Sequence, residues 1–125
     1  MRVLVCGGRD YTDWSYVYDT LDGLHKKIGV SCIIHGGARG ADSLAQGWAV
    51  SKDLPTDIYS VSSADWDKYG KSAGVRRNEI MLTSSNPHIV VAFPGGRGTA
   101  HMVSLAKNSG CTVLQFPQDE DKFWN

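Results

Sequence analysis

The hydrophobic positions of this chain fall into two kinds of run that alternate along it. Strands are read at residues 2–6, 31–34 and 89–93, with unbroken apolar runs at 3–6, 32–34 and 89–93. Such runs suit strands buried on both faces, as in a parallel sheet covered by helices. Residues 112–116 read as a further strand, and residues 57–61 as a shorter one with alternating character. Between the strands, apolar residues recur three and four apart. Trp14, Val17, Leu21, Leu24 and Ile28 make one stripe, and Ala41, Leu44, Ala45, Trp48 and Ala49 make another, each the buried face of a helix. Asp13 is placed to cap the first helix and Gly29 to end it, while the second stops before Pro55. A third helix is expected from residue 72 or 74 to 85, with Pro87 marking the break. A fourth follows Gly98 and ends near residues 108–110. Residues 62–74, rich in Ser, Asp and Gly, read as a loop, and 118–125 as a polar tail containing Phe123 and Trp124.

Strands alternating with helices predict an α/β fold: one Rossmann-like, three-layer domain spanning residues 1–125. Its sheet is expected to be five-stranded and mainly parallel, with helices on both faces and right-handed crossovers. A strand order of 3-2-1-4-5 would set the first and fourth strands side by side at the switch point, where ligands bind beyond the carboxyl ends. With 125 residues, 42% of them apolar, the chain can bury a core without staples. Its 13 basic and 13 acidic residues balance, which argues against a general nucleic-acid coater. No stretch reaches the ~18–20 apolar residues of a membrane span, and the apolar segment at residues 1–6 is too short for a signal peptide. Cys6, Cys32 and Cys111 lie in apolar runs without C-x-x-C spacing, as buried free thiols do in a reducing compartment. A cytoplasmic location is therefore expected. The histidines show no H-x-x-x-H pattern, and neither a metal nor a cofactor is expected.

Candidate chemistry concentrates where strands end. The run at residues 89–93 leads into Pro94-Gly95-Gly96-Arg97-Gly98-Thr99. Glycines free the backbone to turn and expose its N–H groups, and a helix N-terminus behind them adds orphan donors and a positive dipole end. That combination is an anion site. Two more loops of this kind follow strands, Gly7-Gly8-Arg9-Asp10 and Gly36-Gly37-Ala38-Arg39-Gly40-Ala41-Asp42, so all three share the carboxyl edge. None has the G-x-G-x-x-G spacing of a dinucleotide site. Gly70-Lys71-Ser72 ends like a P-loop, but Asp65 holds the earlier glycine position and no apolar strand precedes it. Apart from Arg2, every arginine lies in these loops or in the helix entering them: Arg9, Arg39, Arg76, Arg77 and Arg97. Guanidinium forks suit bidentate phosphate contacts. Trp66 and Tyr69 are candidates to stack on a base or sugar, or simply to pin their loop. Asp10 and Asp42 can hydrogen-bond a ribose hydroxyl, or serve as Asx-turn and helix-cap residues. His101 falls in the first helical turn after Gly98-Thr99, beside the expected anion.

The second and third loops, together with Arg76-Arg77-Asn78-Glu79-Ile80-Met81, resemble the SLOG superfamily. That group includes the Lonely Guy phosphoribohydrolases and the DNA-processing protein A fold. The Gly-Gly-Arg-Asp start and the segment from Asp65-Trp66 to Met81 are most similar to its YspA-like branch. The resemblance covers nearly the whole chain. It implies a homodimer, with Phe123 and Trp124 as candidate interface residues, and a nucleotide or nucleotide-derived, phosphoribosyl ligand. The phosphate would lie on Gly95, Gly96, Gly98 and Thr99, assisted by Arg77 and Arg9. The wider set of ligand-binding candidates adds Gly7, Gly8, Gly36, Gly37, Arg39, Gly40, Asp42, Arg76, Asn78, Pro94, Arg97 and His101. Lonely Guy enzymes carry Pro-Gly-Gly-x-Gly-Thr-x-x-Glu and an upstream Arg-Lys-x-x-Met. Arg77 and Met81 match the latter with Asn78 in place of lysine, and the glutamate position of the former is Met102. A thioether can neither stabilise an oxocarbenium-like centre nor act as a base. Phosphoribohydrolase-like cleavage would then rest on Arg77 and Glu79, with Asp10, Asp42 or His101 as substitutes. The chain is accordingly read as a sensor or binder, or a weak N-glycosidic hydrolase. The alternative implied by the resemblance is a single-stranded nucleic-acid binding module using Arg76-Arg77-Asn78.

Overall fold

A computed structural model describes residues 1–124. The chain runs β1 (Arg2–Cys6), α1 (Trp14–Ile28), β2 (Cys32–His35), α2 (Ala41–Ser51), β3 (Thr56–Ile58) and α3 (Ser63–Tyr69). It continues through α4 (Ser72–Ser85), β4 (Ile89–Ala92), α5 (Arg97–Asn108), β5 (Thr112–Gln115) and α6 (Glu120–Trp124). The five strands form one sheet in the order β3-β2-β1-β4-β5, the arrangement that sets the first and fourth strands side by side, and every pair is parallel. β1 lies at the centre, with Val3, Leu4 and Val5 fully buried, as its unbroken apolar run requires.

Alternate strand residues feed two cores. Val3, Val5, Ile33 and Val91 pack with α1 and α2 through Val17, Leu21, Leu24 and Trp48. On the other face, Leu4, Ile34 and Val90 pack with α4 and α5 through Met81, Met102 and Ala106. Helices thus cover both faces. The Asp13 carboxylate accepts from the Tyr16 amide at 3.1 Å to cap α1, and Gly29 ends it at φ +69°. The buried Trp48 indole donates to Asp22 Oδ1 at 2.8 Å, fastening α2 to α1.

Three local expectations need correction. Residues 62–74 are not a continuous loop, because α3 forms over Ser63–Tyr69. The Ser62 hydroxyl caps it by accepting from the Asp65 amide, yet none of its residues is buried. β3 is shorter than residues 57–61, because β2 is the partner that sets its length. After His35 the second glycine loop turns away, and only the Tyr59 amide to the His35 carbonyl extends the ladder. The polar tail contains α6, and Phe123 packs onto the α1-side core with the Lys27 ammonium 4.6 Å from its ring centroid. One of the two residues expected at an interface is therefore engaged within the chain. The Trp124 side chain and Asn125 lie outside the described residues. Among the described residues, no helix is long and apolar enough to cross a membrane.

Candidate functional site

The loops that follow β1, β2 and β4 meet at the carboxyl edge of the sheet. The Gly8 amide donates to the Pro94 carbonyl at 2.9 Å, and the Gly8 carbonyl accepts from the Ala41 amide at 3.1 Å. The first loop is thereby clasped between the other two. Glycine is required by this close approach: a Cβ on Gly8 would sit 3.0 Å from the Pro94 carbonyl oxygen, and one on Gly95 would sit 2.7 Å from the Gly8 nitrogen. The base of the expected crevice is thus closed by the loops themselves. Gly96 and Gly98 differ, since a Cβ on either would meet nothing within 4 Å. Gly96 is the N-cap of α5, and no side chain caps that end. The first-turn amides of α5 are left to an acceptor from outside, with no acidic residue in that turn to repel it.

α4 supplies the side chains that tie the second loop to the third. Arg77 does not reach toward the Pro94–Thr99 turn as the sequence suggests. Its Nη1 donates to the Gly36 carbonyl at 2.8 Å and its Nε to Asn78 Oδ1 at 3.1 Å. Buried Asn78 completes the link through Nδ2, 3.2 Å from the Gly98 carbonyl and 3.2 Å from His101 Nδ1. The polarity of this chain is fixed at its start. A guanidinium only donates, so Asn78 must turn its oxygen to Arg77 and its NH2 to Gly98 and His101. His101 Nδ1 is then the acceptor, and the ring proton sits on Nε2.

In the second loop, Asp42 accepts from the Gly36 and Ala38 amides, both at 3.2 Å. It therefore serves as the fastening of the loop. Burial pushes its carboxyl above the ordinary range, against the Ala38 and Gly36 amides and the Arg77 guanidinium, which favour ionisation. His35 lies beneath, its Nδ1 accepting from the Gly37 amide and its Nε2 facing Gln46 Oε1 at 2.6 Å. This pair, of which His35 is buried, carried no signal in the sequence beyond a histidine at a strand end. Arg77 is drawn below the ordinary arginine range, first by burial and further by the charge of Arg9, with Asp42 opposing. The Arg9 guanidinium is thus near enough for its charge to act on Arg77. Arg39 has its own counter-ion, an exposed pair with Asp10 at 3.1 Å. Arg9 and Arg97 have no carboxylate partner among the described residues.

α3 covers this edge from the β3 side. Arg9 lies 5.5 Å from the Trp66 ring centroid and Arg76 lies 4.1 Å from that of Tyr69. Both loop aromatics therefore meet arginines of the expected ligand set. Beneath α3 is a cavity of about 220 Å³ that reaches Arg77. A second, of about 300 Å³, lies between the α5 N-terminus and the chain after β5, lined by Gly95, Gly96, Thr99 and Gln118 among others. A wider groove of about 470 Å³ around Pro87, His88 and Cys111 is at the opposite end of the sheet, without Lys, Arg, Asp or Glu on its walls. It is remote from the converging loops.

The catalytic candidates separate. Arg77 is in the cluster, whereas Glu79 is exposed and joins none of its contacts. Met102 is 1% exposed and packs in the α4–α5 core, away from the edge. Burial, with Asp42 adding to it, pushes the Cys6 thiol up to about 12, so no thiolate nucleophile is available at the end of β1.

Comparison with known proteins gives two matches. Residues 1–69 match the family described as YspA, cpYpsA-related SLOG family. The gene 61 protein of Mycobacterium phage D29 is 38% identical over 122 residues, covering 92% of this chain and 95% of the relative. No solved structure matches.

Proposed function

The chain belongs to the YspA, cpYpsA-related SLOG family, and on that footing we propose that it binds a nucleotide or nucleotide-derived, phosphoribosyl ligand at the carboxyl edge of its sheet. The observation that carries this reading is the uncapped N-terminus of α5, open at Gly96 and Gly98 and held beside Arg77 by Asn78. A phosphate seated on the amides of residues 96–99 neutralises the dipole end of a twelve-residue helix. It also relieves the repulsion between Arg9 and Arg77. Arg77 is pre-set for this task, because its anchoring to Gly36 and Asn78 uses two of its five N–H donors and leaves the others for the ligand.

Binding exceeds turnover in this reading. The position that would stabilise a breaking glycosidic bond is a core methionine, and Glu79 is outside the cluster. Loss of a positioned acid–base group commonly costs ~10²–10⁴ in rate while ground-state contacts survive. AMP and ribose 5-phosphate are the probes. Either should raise the melting temperature, with about 2.7 kcal/mol of stabilisation at one hundred times the dissociation constant. Chromatography of the AMP mixture should find little or no free adenine. Unchanged melting with both probes would overturn the binding claim, and adenine release at ~1 s⁻¹ or faster would overturn the claim of weak turnover.

A further inference from the structure

Resting on the phosphate reading above, we propose that the cavity beneath α3 is a nucleobase subsite that stacks a purine or pyrimidine bearing an amino group. Its volume of about 220 Å³ lies below the ~300–1,000 Å³ of sites that enclose whole drug-sized ligands. It has room for one heterocycle and not for an entire nucleotide. Tyr59, Tyr69 and Ile80 give it apolar walls, while Asp65, Arg76 and Arg77 give it polar ones.

Arg76 carries the stacking argument. Its guanidinium lies 4.1 Å from the Tyr69 ring centroid, so the group is held at that ring before any ligand arrives. A guanidinium held at an aromatic ring, on the wall of a cavity, is a group on which a base can stack, as single-stranded bases often do on arginine planes. Asp65 carries the chemical selection. Its carboxylate only accepts and has no ion-pair partner among the described residues. It favours a ring bearing an N–H donor and repels a second anionic group.

Arg77 makes cavity and phosphate site one continuous surface. It lines the cavity and, through Asn78, is two hydrogen bonds from the Gly98 carbonyl. The base beneath α3 and the phosphate on α5 are then the two ends of one ligand, with the ribose over the Gly36 loop.

Calorimetry on the full chain tests this with AMP, GMP and CMP against ribose 5-phosphate, which lacks the base. At least one nucleotide should bind tenfold or more tightly than ribose 5-phosphate. Ile80→Trp changes a half-exposed residue on the cavity wall and fills the space. It should remove that preference while leaving ribose 5-phosphate affinity unaltered. Asp65→Ala, at an exposed position, should erase any preference for AMP over purine riboside 5′-monophosphate, which lacks only the amino group; this variant decides the matter if Ile80→Trp fails to fold. Equal affinity for ribose 5-phosphate and all three nucleotides would overturn the base subsite and leave the phosphate reading standing. So would a preference that persists in both variants. Binding of none of the four probes would overturn both.

Discussion

Met102 stands where the Lonely Guy pattern has glutamate, but its side chain lies in the core between α4, α5 and the sheet. Restoring the carboxylate therefore does not restore a catalyst. An uncompensated buried charge costs about 3–5 kcal/mol, so Met102→Glu should lower stability by that order in denaturant titration, without release of adenine from AMP. Asp42 offers a pH test. Its carboxyl is raised in the folded protein, so the folded state holds its proton longer than the unfolded chain does. Wild-type stability should then fall, relative to Asp42→Asn, as pH rises from the ordinary value of 3.8 through the raised one. Denaturation at a series of pH values checks the sign, and wild-type stability that rises relative to Asp42→Asn with pH would contradict it. The same residues show what could be read in advance. The glycine loops were legible because each follows an apolar strand. Their division of labour was not: Gly8 and Gly95 serve close packing and Gly96 and Gly98 stay open, a distinction that depends on which backbone comes near in space. Nor does the sequence pattern reveal that Asn78, and not Arg77, reaches the third loop.

At the scale of elements, the strands were legible as apolar runs, α1 and α2 by apolar stripes, and α4 and α5 by the Pro87 break and by Gly98 and residues 108–110. α3 escaped because it buries nothing and so leaves no stripe. Its signal was the cap, with Ser62 three residues before Asp65. Ser62→Ala should cost about 1 kcal/mol of α3 stability, seen as faster hydrogen exchange at the Trp66 and Gly70 amides, with the sheet unaffected. An equal loss of protection throughout the chain would mean that α3 is part of the global folding unit. The link between α4 and the second loop gives a further test. Arg77→Ala removes the hydrogen bond to the Gly36 carbonyl, worth about 1 kcal/mol, and should weaken ribose 5-phosphate binding by about 1.5–3 kcal/mol. Calorimetry showing unchanged affinity would confine Arg77 to holding the loop.

For the whole molecule, zero formal charge and a site built around one helix end favour a small anion over a nucleic-acid strand. AMP affinity should change by less than about tenfold between about 50 and 200 mM salt, whereas contacts to many phosphates give far steeper slopes. The five-stranded parallel sheet was legible, because alternating strands and helices leave few ways to bury every apolar run; the strand order 3-2-1-4-5 was one arrangement that this pattern admits. The cavity under α3 was not, since it depends on an element without a hydrophobic signature. The central claim is that a phosphate sits on the open N-terminus of α5. The direct measurement is a ¹⁵N–¹H NMR titration of the full chain with ribose 5-phosphate. The largest shifts should fall on the amides of Gly96, Arg97, Gly98 and Thr99, with Arg77 Nε moving in step. Saturable binding whose shifts lie elsewhere, or no shifts at these amides at millimolar ligand, would contradict the account.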